Sequence, residues 1–490
     1  MISDERIAHR LLAQKVSNSP TATEFADEQI RKNAHIADSA YQTVDLLTRM
    51  APQVAEMTSI FIFHKSHFKH SMKQSLQTIG LCLLTGLTFA QNGVQNTALD
   101  ARKEIGNLVV ENIPALPADL LDRVDQYQNV RGASFADWDR DSKGLFISTR
   151  FGDVPQIHHV AAPGADRRQI TFFKELLIDI SVCPDKAQNG FIYSRDNGGN
   201  ENYQIYFFNL VDGRSLLLAD GKSRNNFQGW NQAGTQLAFM SNQRNGADLD
   251  LFLLDFKSGS KPTPLAELKG GGWVVLDWSA DGKQMMLGNY KKTYVKLDNG
   301  PKREDSVKDI GALLDWIAKQ PDLDANRVGV IGGSYGGYMC LATMTNYNDR
   351  MRCGIDLFGI GNFTTFLKNT SAYRADLRRA EYGDERDPAM QAVFEKISPI
   401  NKIKNITKPM LVYHGKNDPR VPLSESEQMV SGLKQQGNTV WYIMAKDEGH
   451  SLAKKANRDY TYGAMMLFLR DNLLNGANLT NNSSSGNGSK

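Results

Sequence analysis

Apolar residues recur along the chain with two different periods, and the change falls near Tyr290. From about Arg131 the apolar runs are short and break at polar turns. Phe135-Ala-Asp-Trp-Asp-Arg-Asp-Ser-Lys-Gly-Leu-Phe-Ile147 returns as Ile180-Ser-Val-Cys-Pro-Asp-Lys-Ala-Gln-Asn-Gly-Phe-Ile-Tyr193, then as Phe227-Gln-Gly-Trp-Asn-Gln-Ala-Gly-Thr-Gln-Leu-Ala-Phe239 and as Leu276-Asp-Trp-Ser-Ala-Asp-Gly-Lys-Gln-Met-Met-Leu287. The equivalent positions Trp138, Cys183, Trp230 and Trp278 are 45, 47 and 48 residues apart. Each unit reads strand, Asp/Asn-Gly turn, strand, often with a third strand such as 204–208 or 249–254. A β-rich period in the forties predicts propeller blades, sheets whose faces are buried only against neighbouring blades. Four such units, within 107–290, predict a partial β-propeller, four being the low end for a closed ring. An irregular β-sandwich is the competing reading.

After Tyr290 the period lengthens. Residues 301–320 read as an amphipathic helix with Val307, Ile310, Leu314 and Ile317 on one face, ended by Pro321. A β-branched run (328–331), an apolar helix, a strand (353–358), a polar helical insert (365–397) and a second buried strand (410–414) follow. A helix (424–435), a strand (439–444) and a closing helix (458–474) complete the series. Such alternation over 291–474 predicts an α/β domain with a parallel sheet. The tail, 475–490, is rich in Asn, Ser and Gly and is expected to be disordered.

Before the repeats, residues 1–71 are polar and mildly helical over 26–49, with no readable chemistry. Met72-Lys73 then lead into Ile79-Gly-Leu-Cys-Leu-Leu-Thr-Gly-Leu-Thr-Phe89 and Ala90-Gln91. A basic start, a short apolar run and Thr88-x-Ala90 resemble a signal peptide over 72–90. The run is too short to span a bilayer as a helix, and a small buried helix is the alternative. The expectation is a functional start at Met72, with 1–71 an upstream extension of unknown role. The product would then be periplasmic or secreted, or cytoplasmic if the segment is not used.

Composition narrows the chemistry. With 490 residues there is room for two or three domains, and 57 basic against 54 acidic residues leave a net charge of +3 that implies no nucleic-acid partner. The four cysteines, Cys82, Cys183, Cys340 and Cys353, form no C-x-x-C and no Cys/His cluster, which argues against zinc and against a disulfide framework. Cys340 and Cys353 are expected to be free, buried thiols. No metal or cofactor is expected, and a homodimer stays open.

One stretch organises the rest. In Arg327-Val-Gly-Val-Ile-Gly-Gly-Ser-Tyr-Gly-Gly-Tyr338 a strand runs into a glycine-flanked serine and a helix. This is the nucleophile-elbow pattern, a turn so sharp that only small neighbours fit and the serine hydroxyl is lifted to a helix N-terminus. Met410-Leu-Val-Tyr-His-Gly-Lys-Asn-Asp418 sets a carboxylate just past a buried strand, and Lys446-Asp-Glu-Gly-His450 sets an imidazole after the next. The order Ser334, Asp418, His450 is that of α/β-hydrolases. Ser334 is a poor nucleophile until His450 takes its proton, and Asp418 keeps that imidazole in the useful tautomer. His414, inside or at the end of its strand, is read as packing.

These motifs, with Asp298-Asn-Gly-Pro-Lys-Arg-Glu-Asp-Ser-Val-Lys-Asp-Ile-Gly-Ala-Leu-Leu-Asp-Trp-Ile317 and His414-Gly-Lys-Asn-Asp-Pro-Arg-Val-Pro422, resemble the prolyl oligopeptidase family of serine peptidases, most closely its dipeptidyl-peptidase and acylaminoacyl-peptidase branches. The resemblance covers roughly 107–474. It implies a β-propeller capping an α/β-hydrolase domain and hydrolysis of short peptides near the N-terminus. It also implies Ser334 as nucleophile, His450 as base, Asp418 as orienting acid and the amide of Tyr335 as one oxyanion donor. Arg420 and Val421 are expected to line the pocket. Glu201, on a blade loop, either binds the substrate's amino terminus or is a solvated turn residue, the reading preferred from sequence. An esterase with the same triad and a non-catalytic propeller binding module are the competing functions. The sequons at Asn362, Asn369 and Asn405 carry meaning only in a eukaryotic secretory route.

The chain also departs from the family. It has no His-Gly-Gly-Pro-like loop for a second oxyanion donor, and only 44 residues separate Tyr290 from Ser334. An internal deletion near Tyr290–Lys291, truncating the sheet on its N-terminal side, is expected. It predicts a half-built oxyanion hole and an unpaired edge on the elbow strand.

Overall fold

The structure is a computed structural model, and it describes residues 58–64, 102–257, 260–270, 272–289 and 299–474. The signal-like segment 72–90, the tail 475–490 and residues 1–57 and 65–71 lie outside the described residues.

The long apolar runs form one seven-stranded sheet. Its strands are β1 (Thr58–His64), β2 (Lys103–Ile105), β3 (Leu108–Glu111), β4 (Leu323–Gly333), β5 (Cys353–Leu357), β6 (Met410–Gly415) and β7 (Val440–Ala445), in the order β1-β4-β5-β6-β7-β3-β2. The centre, β4 to β7, is parallel, with Gly329 beside Cys353, Gly354 beside Met410 and Met410 beside Val440. Every residue of β6 and β7 is buried, as a strand covered on both faces requires.

One face is covered by helices α2 (Arg303–Ile317), α3 (Tyr335–Asn346) and α7 (Leu423–Gln435), through Leu314, Leu341, Met344, Met429 and Leu433. The other is covered by α1 (Ala118–Gln128) and α8 (Lys455–Leu469), through Leu120, Met465 and Phe468. Between β5 and β6 the polar insert forms three short helices, α4 (Phe363–Asn369), α5 (Ala372–Tyr382) and α6 (Pro388–Ile397).

Two sequence expectations fail at the edges of this sheet. The elbow strand is not left unpaired: β1 runs antiparallel along it, Ile60 beside Val330 and Thr58 beside Gly332. The run 58–64 is β-branched and aromatic, but it lies in a stretch, 1–71, that is polar as a whole. The boundary at 107 also moves. Strand β3 pairs antiparallel with β7, Val110 beside Ile443, so 103–111 and α1 belong to the hydrolase sheet rather than to the blades.

The short-period segment forms three four-stranded antiparallel sheets in succession and a fourth of two strands. The first holds Ala133–Trp138, Leu145–Thr149, Gln156–Val160 and Arg168–Gln169. The second holds Ile178–Val182, Gly190–Arg195, Gln204–Asn209 and Ser215–Leu217. The third holds Asn225–Trp230, Gln236–Ser241, Asp250–Asp255 and Thr263–Ala266, and the fourth Trp273–Trp278 and Met285–Asn289. Successive sheets bury their faces on one another. Phe146 and Ile157 of the first pack with Phe191 and Tyr193 of the second, and Ile192 and Phe207 of the second with Leu237 and Phe252 of the third.

The repeat is visible in detail. The first strand of every sheet carries a bulge. Asp137 accepts from the Val182 amide one blade on, and Gln228 accepts from that of Val275. This is a partial propeller of about four blades beside an α/β-hydrolase sheet. Its first blade leaves Phe135 and Trp138 exposed, whereas the equivalent Phe227 and Trp230 pack against the preceding blade. Cys183, Cys340 and Cys353 are free and buried.

Candidate active site

The serine sits where the strand cannot continue. Ser334 has φ 59° and ψ −121°, a conformation that costs a non-glycine residue about 1–3 kcal/mol and persists only when its surroundings enforce it. They do so by close approach. A Cβ on Gly332 would stand 1.9 Å from the Gly336 carbonyl oxygen, and one on Gly337 2.5 Å from both the Asp356 carboxylate and the Gly359 α-carbon. The Ser334 amide donates to the Leu357 carbonyl at 3.0 Å, tying the turn to β5. Helix α3 begins at Tyr335, whose amide has no acceptor within the helix because it lies in the first turn.

The acid and the imidazole lie together at the ends of β6 and β7. Asp418 Oδ2 is 2.6 Å from His450 Nδ1, and both side chains are almost fully buried. Asp418 Oδ1 accepts from the amides of Arg420 (2.8 Å) and Val421 (3.1 Å). Burial alone would raise the Asp418 carboxyl, but His450 and His414 overcome it and hold the group well below the usual carboxylate range. Burial pulls the His450 imidazole below its ordinary value, against the attraction of Asp418. The histidine loop is pinned by the buried Glu448, which accepts from the amides of Ala453 (3.2 Å) and Lys454 (2.8 Å).

His450 Nε2 is buried and has no hydrogen-bond partner among the described residues. Asp418 and His450 are thus brought into contact, while Ser334 and His450 are not hydrogen-bonded. His450 abuts Phe358, whose ring centroid is 4.5 Å from that of the imidazole and whose edge comes within 3.2 Å of where a Cβ on Gly333, the residue before the serine, would stand. Nothing in the sequence singled out Phe358.

His414 does more than pack. Its Nε2 lies 2.9 Å from the Val421 carbonyl, which can only accept, so that nitrogen carries a proton; the same nitrogen is 3.5 Å from Asp418 Oδ2. Nδ1 is 2.6 Å from Ser426 Oγ. The strand-end position that marked His414 as filler is what aims it at the acid.

The expected pocket residues are redistributed. Val421 is buried in a cluster with Tyr338 and Phe363. Glu201 is not a solvated turn residue: it is buried at φ 56° and accepts from Arg420 Nε, from Arg224 Nη1 at 3.1 Å and from the Tyr373 hydroxyl at 2.7 Å. Burial would raise its carboxyl, but the Arg420 and Arg224 guanidiniums prevail and lower it. The reason is the blade-two loop, which butts against the catalytic loops. Asn417 Nδ2 donates to the Gly198 carbonyl at 2.8 Å, and a Cβ on Gly199 would stand 2.2 Å from the Gly449 amide nitrogen. No chain-local signal announces a contact between residues 219 apart.

The described residues hold no group of three or more His, Cys, Asp or Glu placed to bind a metal ion. The arrangement offers a hydroxyl on a strained turn, a helix-terminal amide beside it and an imidazole whose tautomer is fixed by a carboxylate.

Residues 287–476 match the model of the Prolyl oligopeptidase family. The chain is 30% identical over 215 residues to dipeptidyl aminopeptidase BIII of Pseudoxanthomonas mexicana, a match covering 40% of this chain and 31% of the relative. It is 34% identical over 209 residues to dipeptidyl peptidase family member 6 of Caenorhabditis elegans, covering 42% and 28%. Among solved structures, the Pyrococcus horikoshii acylaminoacyl peptidase is similar at a TM-score of 0.34 and 17% identity, over 70% of this chain and 64% of that one. The matches span about a third of the length of the two curated relatives.

Proposed function

With residues 287–476 a domain of the prolyl oligopeptidase family, we propose that the chain is a serine peptidase that hydrolyses short peptides near their N-terminus. His450 Nε2 takes the Ser334 proton as Oγ attacks the scissile carbonyl. The resulting oxyanion points at the Tyr335 amide. Collapse expels the amine, which receives the proton from Nε2, and leaves an acyl-enzyme on Oγ; water, activated by the same imidazole, then releases the acid. The observation that carries this reading is the 2.6 Å contact of Asp418 Oδ2 with His450 Nδ1, which leaves Nε2 buried, without a partner among the described residues and open to accept a proton. The strained Ser334 and the blade loop pressed on Asn417 and Gly449 support it.

Turnover is reduced in this reading. One oxyanion donor, the Tyr335 amide, is named and no second loop motif precedes the elbow. Lack of one donor costs about a hundred- to a thousandfold in kcat. The unmade Ser334–His450 hydrogen bond points the same way.

An alanyl-proline p-nitroanilide and a short-chain p-nitrophenyl ester, offered to the full chain and to Ser334→Ala, test the reading. Anilide hydrolysis that vanishes in Ser334→Ala supports a peptidase. Ester hydrolysis alone favours the esterase, and no turnover of either leaves a binding module.

A further inference from the structure

The four blades follow one plan, and both ends of their series are uncovered. In each sheet a carbonyl closes the turn after the first strand, that of Gly144, Gly190, Gln236 or Gln284. The residue two places further on faces the next blade. Phe146, Ile192 and Ala238 are buried in this way, each in the apolar cluster that joins its sheet to the following one. Met286 is the fourth of the series, and it is 62% exposed. Leu276 is 57% exposed beside it. Its side chain lies 2.9 Å from where a Cβ on Gly288 would stand, so Leu276 and Met286 share the uncovered face.

The opposite end is open in the complementary sense. The first strands of the later blades pack backwards, through Ile180 and Val182, Phe227 and Trp230, and Val275 and Trp278. In the first blade, Phe135 and Trp138 keep the edge-on pairing of Phe227 and Trp230, with centroids 5.5 Å apart against 6.4 Å. They face solvent instead of a blade. A polar contact repeats the pattern. Asp137 Oδ1 accepts from the Trp138 amide at 2.8 Å, and Oδ2 from the Val182 amide of the next blade at 2.7 Å. Asp277 Oδ1 accepts from the Trp278 amide at 2.8 Å in the same manner. Asp277 is exposed, and among the described residues its carboxylate has no hydrogen bond to another blade.

We propose that a second copy of this chain covers these ends: Phe135 and Trp138 of one copy pack on Leu276 and Met286 of the other, with Asp277 accepting across the joint. The joint continues the blade-on-blade interfaces that already hold the chain together, and every copy carries both halves of it. Within one chain the two ends do not cover each other, since both are exposed. Made twice between the same two copies, the joint unites four blades with four in a ring of about eight, inside the usual range for propellers. Made once per copy in a staggered series, it gives longer species. This inference does not depend on the peptidase reading.

Sedimentation velocity on the full chain, from about 1 to 100 μM, tests it at the weak end of the affinities that standard interfaces span. The sedimenting mass is expected to rise with concentration from one chain to two or more. Phe135→Glu and Met286→Glu each place a charge in the apolar contact and should raise the apparent Kd at least about tenfold, with unchanged circular dichroism. A head-to-tail joint makes a further demand. The first variant keeps blade four intact and the second keeps blade one, so a mixture of the two should regain a one-to-one heterodimer that neither forms alone. Val211→Glu, at a 78% exposed apolar position elsewhere on the blades, should leave association unchanged. If either variant fails to fold, Asp277→Ala takes its place and should also weaken association. A chain that stays monomeric over the whole range overturns the proposal. So does association that survives Phe135→Glu, Met286→Glu or the Asp277→Ala replacement, or a mixture of the two variants that does not pair.

Discussion

At the scale of single residues, the site depends on where protons sit. Asp418 fixes the proton of His450 on Nδ1, so Asp418→Asn should keep the geometry, offer the wrong tautomer and lower kcat by about four orders of magnitude. A loss below tenfold in the anilide assay would show that the acid does not orient the base. Because burial depresses His450, the acid limb of kcat/KM should have its midpoint below 6.5, the base being neutral above it; a midpoint at or above 6.5 would contradict this. Asp356 works in the other direction. It is fully buried against Gly337 and Gly359, and burial pushes its carboxyl from 3.8 up to about 7. The folded pKa is raised, so its contribution to stability is present below pH 3.8 and is lost as pH rises through about 7. Asp356→Asn cannot ionise. The melting temperature of the parent minus that of the variant should therefore fall across this window, and a difference that is flat with pH would refute the assignment.

At the scale of elements, the elbow was legible and its supports were not. The glycines around Ser334 are spelled out in the sequence, and the structure gives the distances that demand them. Gly332→Ala drives a methyl into the Gly336 carbonyl at 1.9 Å, backbone against backbone, and should destabilise by several kcal/mol or prevent folding. Gly152→Ala, which meets nothing within 4 Å, should be neutral within about 0.5 kcal/mol. Equal melting of the two variants would mean that the turn is looser than drawn. The alternation of strands and helices after Tyr290 was readable because buried strands and amphipathic helices differ in period. Strands β1 and β3 were missed for an equally physical reason. A strand of seven or four residues that joins a sheet hundreds of positions away carries no local mark of its partner. The blades were found through their repeated Trp positions, and the recurring bulge and the Asp137 and Gln228 bonds to the next blade explain why that spacing recurs.

At the scale of the whole molecule, the blade-two loop meets the loops that carry the acid and the imidazole. Glu201 reaches from that loop to Arg420 and Tyr373 of the hydrolase half, and sequence reasoning placed it in water because its partners lie far along the chain. Removing one member of a buried ionic cluster costs about 3–5 kcal/mol. Glu201→Ala should therefore lower stability by that order in a denaturant titration, whereas a solvated turn glutamate would cost less than about 0.5 kcal/mol. The open first blade, with Phe135 and Trp138 at 58% and 54% exposure, and the unmade contact between Ser334 and His450 both belong to a chain that spans about a third of its curated relatives' length in the matches. Whether such a chain still activates its serine is the central question, and intact-protein mass spectrometry after fluorophosphonate treatment answers it most directly. The expected result is one adduct, on Ser334, absent in Ser334→Ala and formed far more slowly in Asp418→Asn. A folded parent chain that takes up no probe, or takes it up equally in Asp418→Asn, would contradict the triad.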